Sequence, residues 1–515
     1  MHSLPHAFSA SCILCLTSSF QDFHDYMTLA ALPWGTKALF GSISDSIPLG
    51  GYTKRYYLIL ACILLSAVAG VLASAENILP REAAGLFCLG NLAICIIDLL
   101  IEGKYSELMR TQGEGRSDIV TFVWLMVMAG GLLASVIAGP LADQGIIQPL
   151  AWGAMVMALL PIVPLLLGWL PEKRESGCLL KSKLREHKGL FGLALSMSVA
   201  AFAIALATIY GSAYSKLFTA LGAAFLLLVI ADKTLPPTLS HCNMFMFIVE
   251  VSSISLGGAL QYFFVAPADC LEDGPHFSYV FFTTWASVIG AVFGLLGLAL
   301  FQAKLSHWHV RRIFYLTTIL RILASLFDIA MVERWNTHSL GIDDRTFFVL
   351  GDAIISPVIS MISFLPMVML TSKLCSTGLE STTYSILAGF QNLGAVVSRS
   401  AGSFVITQLG MQTETCPYRF TNLGTGIAVC NMAMPLLVIP FARLLLPNAR
   451  LDEPLYAWFQ NNELTTQLNQ AQGENPWALQ GSSGEEEDIL EEGGLAKLQQ
   501  EARLKEEYEE RDLNL

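Results

Sequence analysis

Residues 56–74 read Tyr-Tyr-Leu-Ile-Leu-Ala-Cys-Ile-Leu-Leu-Ser-Ala-Val-Ala-Gly-Val-Leu-Ala-Ser, without one charge, directly after the pair Lys54-Arg55. As an α-helix this stretch rises about 28 Å, close to the ~30 Å of a bilayer's hydrocarbon core. A run that is apolar on every side has no polar face to give to water, so it predicts a membrane span. Twelve more runs of this kind occur between charged or Pro/Gly-marked breaks, over 27–45, 83–101, 118–139, 148–170, 189–210, 216–232, 240–265, 277–301, 308–331, 346–371, 379–405 and 423–446. No alternating strand pattern competes with them, which excludes a β-barrel. The chain is read as an all-α polytopic membrane protein.

Composition agrees. Of 515 residues, 54% are hydrophobic and 14% charged, against about 25% charged in soluble domains. The net charge of −12 is concentrated in a Glu-rich tail after Gly473, and no basic stripe is present to bind nucleic acid. The eleven cysteines form no Cys/His cluster at metal spacing, so neither a metal nor any other cofactor is expected. Cys62, Cys88, Cys95 and Cys430 sit in apolar runs and read as small hydrophobes.

Lys and Arg in the connections assign sidedness. Alternate loops, beginning with 45–55, hold 18 of them, whereas the other set holds only Arg81, Lys216, Arg334, Arg345 and Arg419. Basic loops stay cytoplasmic, which places the loop 171–188 and the tail after Leu446 inside the cell. Cys270 and Cys416 then fall on the outer side, where a disulfide is permitted.

The two halves echo each other. Lys54-Arg55 before one helix is matched by Arg311-Arg312, 257 residues on, and Gly131 and Gly139 by Gly394 and Gly402, 263 residues on. A single offset near 260 residues predicts a duplicated bundle, and the runs 189–210 and 216–232 are two extra helices between its halves. The organisation expected is an N-terminal segment 1–26, a helical half 27–170, a basic loop with the extra helices over 171–239, a second half 240–446 and an acidic tail 447–515. Within the first segment, the apolar stretch Ala7–Phe20 is short for a span and lacks the basic flank of a signal peptide. The tail carries one expected surface helix, 485–511.

Charges inside a bilayer cost at least ~2.5 kcal/mol each on insertion scales, so each needs a reason. Lys37, Asp98, Glu250, Asp328, Asp352 and Arg399 all lie within spans. Lys37 follows Pro33 and Gly35, which weaken the helix and let it bend around a cavity. A snorkelling lysine is the alternative. Glu102, at the cytoplasmic end of its span, reads as interfacial. Arg321 and Asp328 share a face and could brace helices. Ser385, Asn392 and Arg399 recur every seven residues, and Asp352, Ser356, Ser360 and Ser363 share one helix side. Such stripes face a protein interior or an aqueous path, or else bond between helices. Gly130-Gly131 suits close helix packing. No phosphate-cradling GxxxxGK[ST] loop or HExxH is present, so neither an ATP-driven pump nor an enzyme is expected.

Residues 39–58 read Leu-Phe-Gly-Ser-Ile-Ser-Asp-Ser-Ile-Pro-Leu-Gly-Gly-Tyr-Thr-Lys-Arg-Tyr-Tyr-Leu. This loop, with its Gly, its Asp and then paired basic residues, resembles the major facilitator signature. With Leu32-Pro33-Trp34 upstream, it is similar to the folate–biopterin transporter family. Glu102-Gly103-Lys104-Tyr105-Ser106-Glu107, Ser117-Asp118-Ile119-Val120-Thr121 and Leu374-Cys375-Ser376-Thr377-Gly378-Leu379-Glu380-Ser381-Thr382 resemble further segments of that family. Ser376 stands where the family has proline, and the first helix looks cut down.

The resemblance implies a major-facilitator-like bundle that takes up folates or pterins by alternating access, with protons as the coupling ion. In that picture Lys37, Asn392 and Arg399 meet the substrate. Asp98, Glu250, Asp328 and Asp352 are the proton-relay candidates. Asp45, Lys54 and Arg55 form a cytoplasmic gate. The protein is expected to work as a monomer in the lipid bilayer of the plasma membrane, with an organelle membrane as the alternative. Two other readings remain, a carrier of another anionic organic solute and a non-transporting membrane sensor or scaffold.

Overall fold

The computed structural model describes residues 30–451, apart from residue 31 and the short segments 76–77, 112–116, 144–147, 176, 178–179, 279, 376–377 and 412–415. The stretch Ala7–Phe20 and the tail helix 485–511 lie outside the described residues. Those residues are helical throughout, with two isolated β-bridges and no named strand among them.

All thirteen runs form helices. They are α1 (Lys37–Ser46), α2 (Arg55–Ser74), α3 (Pro80–Thr111), α4 (Ser117–Asp143) and α5 (Gln148–Leu166). The two inserted helices follow, α6 (Lys188–Tyr210) and α7 (Ala213–Thr234). The run 240–265, expected as one span, is two helices, α8 (Pro237–Val251) and α9 (Gly257–Val265). The rest are α10 (Ala286–Leu305), α11 (Val310–Val332), α12 (Asp344–Lys373), α13 (Glu380–Gln408) and α14 (Leu423–Leu445).

Ten of these are long and apolar enough to cross a membrane. Of the helices that miss that standard, α1, α8/α9 and α13, the last packs on both α1 and α8. The more polar or broken helices are shielded by the more apolar ones, as a lipid solvent requires.

The duplication is visible in the packing. Helix α2 lies against α3 and α5, and α11 lies correspondingly against α12 and α14. The paired basic residues do the same work in each half. Arg55 donates from Nη2 to the Leu166 carbonyl at 2.6 Å, at the end of α5. Arg311 donates from Nε and Nη2 to the Leu446 carbonyl at 2.8 and 2.5 Å, just past α14. An arginine on the last carbonyls of a helix satisfies orphan acceptors and meets the negative end of its dipole.

The two extra helices form a hairpin. Helix α6 packs on α1 and α13, and α7 packs on α13. A Cβ on Gly35 would stand 2.8 Å from the Ala201 Cβ, so the hairpin approaches the residues leading into α1 closely. Gly130, in contrast, faces open space, so it does not serve close packing.

The end of the second half away from the basic loops is tied together. Cys270 and Cys416, for which a disulfide was only permitted by position, are bonded across 146 residues. Arg334 grips Asp344 through Nη1 and Nη2 at 2.7 and 2.9 Å and reaches Asp273 at 3.1 Å. Burial works against the Arg334 charge, but these carboxylates outweigh it and hold its pKa above the ordinary value.

Candidate functional site

The seal at the basic end comes first. The Asp45 Oδ2, buried at the end of α1, accepts from the Thr382 backbone N–H at 2.7 Å and from its hydroxyl at 2.8 Å. Thr382 opens α13, in the other half. Cβ atoms on Gly41 and Gly103 would both collide with Ser381, at 2.7 Å from its carbonyl and 2.6 Å from its hydroxyl. Only glycine lets α1 and α3 approach α13 this closely. The Tyr105 and Tyr384 hydroxyls share a hydrogen bond of 2.8 Å. On the opposite seam, Thr121 donates to Gln302, and Gln302 to Asp118, each at 2.8 Å. Ser385, the lowest member of the α13 stripe, is fully buried in this seal against α1.

Lys54 and Arg55 take different places from Asp45. The Glu172 carboxylate accepts the backbone N–H groups of Thr53, Lys54 and Arg55 at 2.6 to 3.1 Å, closing the first turn of α2. Lys54 Nζ stands 3.9 Å from Glu107. Asp45 alone of the three expected gate residues hydrogen-bonds across to the other half.

Above the seal, Lys37 is buried with two acids. Its ammonium is 2.8 Å from the Asp98 Oδ2 and also pairs with Glu102. Trp34 and Tyr384 rings lie 5.7 and 5.9 Å from the same nitrogen. Two of the isolated charges in the sequence therefore form one cluster, completed by Glu102. Glu102 is buried and not interfacial, because the α3 helix continues to Thr111 and carries it inside. Lys37, expected to meet a solute, is occupied by carboxylates of its own half.

Further out, α13 faces a cavity of about 510 Å³. Asn392 and Arg399 line it, with Trp34 and Gly35 from the residues leading into α1, Ile204 from α6 and Lys216 from α7. The Trp34 indole is fixed by donating to the Asn91 Oδ1 at 3.1 Å. Glu250, at the end of α8, lies close enough to Arg321 and Arg399 to feel both charges. The break after α8 is supported by α13. The Ser398 hydroxyl donates to the Ser253 carbonyl at 2.5 Å and accepts from the Ser255 N–H at 3.1 Å. Gly402 leaves room for the Ser255 carbonyl. A broken helix inside a membrane is tolerated where protein groups satisfy its freed backbone.

Asp328 and Asp352 stand apart from this cavity, on facing helices α11 and α12, near enough for Asp328 to act electrostatically on Asp352. The Asp352 Oδ2 is buried without a hydrogen-bond partner. Asp352 sits in a π-helical turn, Val349–Ile355.

A duplicated helical bundle, sealed between its halves at one end and hollow toward the other, has the fold of the major facilitator transporters. Solved structures agree on the fold. The proton:xylose symporter XylE is 14% identical, with a TM-score of 0.54 over 88% of this chain and 95% of its own. A POT family transporter bound to 5-aminolevulinic acid is 13% identical, with a TM-score of 0.56 over 86% of this chain and 94% of its own. The chain belongs to the BT1 family, which matches residues 16–456. It is 28% identical to the folate-biopterin transporter of Synechocystis sp., over 81% of this chain and 73% of that protein. It is 24% identical to folate transporter 1 of Plasmodium falciparum, over 82% and 72%.

Proposed function

We propose that this protein carries folate- or pterin-type solutes across a membrane by alternating access, driven by protons. The observation that carries the reading is the cavity. Its volume falls within the ~300–1,000 Å³ of small-molecule sites. Its wall joins a fixed indole and aliphatic side chains, suited to a flat ring, with Arg399 and Asn392, suited to a carboxylate and polar ring edges. The relatives named for folate and biopterin transport support the choice of solute.

For coupling, the Lys37–Asp98–Glu102 cluster is the best-placed group. Two carboxylates face one ammonium, so the cluster carries one negative charge when fully ionised and none after taking up a proton. It adjoins the seal through Tyr384, so its charge state can bias the halves toward closing or parting. Asp45 is the gate residue that holds the sealed form. Asp328, Asp352 and Glu250 are the alternative proton sites.

The test is uptake of labelled folic acid into vesicles holding the purified protein, with and without a pH gradient. Accumulation that requires the gradient supports the reading, and absence of any flux refutes it. Transport of other organic anions with folate excluded favours the second solute class, which the cationic and apolar lining also admits.

A further inference from the structure

We infer that the inserted hairpin is part of the solute site, and that Lys216 is a second anion contact opposite Arg399, fitting the cavity to a solute with two carboxylates at one end. The inference rests on the folate reading above and makes it more specific.

Three observations carry it. First, the hairpin is a wall of the cavity and not an appendage beside it. Ile204 and Thr208 of α6 and Lys216 of α7 line the same space as Asn392 and Arg399. Second, this wall is held in register with α13. The Gln408 side chain donates to the Tyr214 hydroxyl at 2.8 Å, and the Tyr214 ring meets Phe404 edge-on at 5.3 Å. Gly389 leaves room for the Met197 side chain. Lys216, two residues and about half a helical turn beyond Tyr214, lines the cavity together with Arg399.

Third, the local charge does not balance. Neither Lys216 nor Arg399 forms an ion pair with a described residue, and Glu250 is shared by Arg399 and Arg321. Lys216 also lies in the first turn of α7, where the helix dipole is already positive and a lysine is unfavourable for the helix itself. A residue that costs its own helix needs a gain elsewhere, and an anion at the cavity's outer end supplies one. Thr208, Ser400 and Ser403 add hydroxyls at that end, while Trp34 and Leu227 offer apolar surface deeper in. A solute with a flat body inward and two carboxylates outward satisfies both regions. A single carboxylate would be taken by the Arg399 fork, leaving Lys216 unused.

The experiment compares folate, with two carboxylates, and pteroate, with one, in vesicles containing equal measured amounts of wild type, Lys216→Gln and Lys216→Arg. In Lys216→Gln the half-saturating concentration for folate should rise about 10-fold more than that for pteroate, and Lys216→Arg should recover most of the difference. Equal changes for the two solutes, or none, would overturn the inference and leave Lys216 as an interfacial lysine. If the wild type carried neither solute, the folate reading itself would fail before any variant was compared, and this inference with it.

Discussion

Removing the Asp45 carboxylate should unlock the basic end of the bundle. Its Oδ2 receives two hydrogen bonds from Thr382, at 2.7 and 2.8 Å, in a buried position between the halves. A hydrogen bond to a charged group contributes about 1.5–3 kcal/mol net. Because both bonds end on one oxygen they are not fully additive, and about 3 kcal/mol for the pair is a reasonable figure. Asp45→Ala removes both and leaves a backbone N–H and a hydroxyl unpaired, but only while the halves remain sealed, since water can satisfy them once the end opens. The loss therefore falls on one conformation. A shift of about 3 kcal/mol is roughly 150-fold in the balance between sealed and open forms. Asp45→Asn keeps an oxygen able to accept both bonds at neutral strength, so its shift should be smaller. The reporter is the native Cys375, buried at the basic end of α12 with its thiol on the Thr371 carbonyl. An impermeant thiol reagent applied from the basic side, followed by mass spectrometry at that site, should label Cys375 much faster in Asp45→Ala than in wild type, with Asp45→Asn between them. Unchanged labelling together with a lowered thermal midpoint would refute the reasoning, because it would mean that Asp45 braces both conformations equally.

Arg399→Lys keeps the charge but loses the planar fork, so the half-saturating folate concentration should rise by one to two decades with abundance near normal; lost abundance with unchanged transport constants would instead make it a brace. Glu102→Gln removes the spare carboxyl of the Lys37 cluster, so pH-driven accumulation should collapse while solute exchange at equal pH persists. The same pattern from Asp352→Asn, with Glu102→Gln unaffected, would move the coupling site to the Asp328–Asp352 pair. Cys270→Ser frees a closure of 146 residues, and should lower the thermal midpoint by several degrees without altering labelling of Cys375.

The helices were legible because lipid imposes one rule on every span, an apolar run long enough to cross. That rule located all thirteen, including the extra pair, with ends displaced by a few residues. It could not show the break in 240–265. The hydropathy of Ser252-Ser253-Ile254-Ser255 differs little from a helix that tolerates serine, and what stabilises the break is Ser398, 143 residues beyond Ser255. It also could not show the π turn at Asp352, since insertion of one residue into a turn leaves composition unchanged. The arginine pairs were visible as an echo. Their purpose, capping the helix that ends each half, needed the Leu166 and Leu446 carbonyls in place.

The site shows the same division between what a single helix encodes and what only packing brings together. Lys37, Asp98 and Arg399 were evident as exceptions to the membrane's rule, yet the groups they face lie on other helices. Lys37 and Arg399 looked alike in the sequence, each a lone cation in a span. In the folded chain they differ. Lys37 has two carboxylates from α3, while Arg399 has only a share of Glu250 and opens on a cavity. That difference separates the roles. A cation already neutralised by its own half suits proton-dependent switching, and one left with excess charge suits an incoming anion. Helical spacing offers no such distinction, and it concealed Lys216 altogether, since a lysine near a helix end reads as interfacial until the hairpin is seen to close against α13.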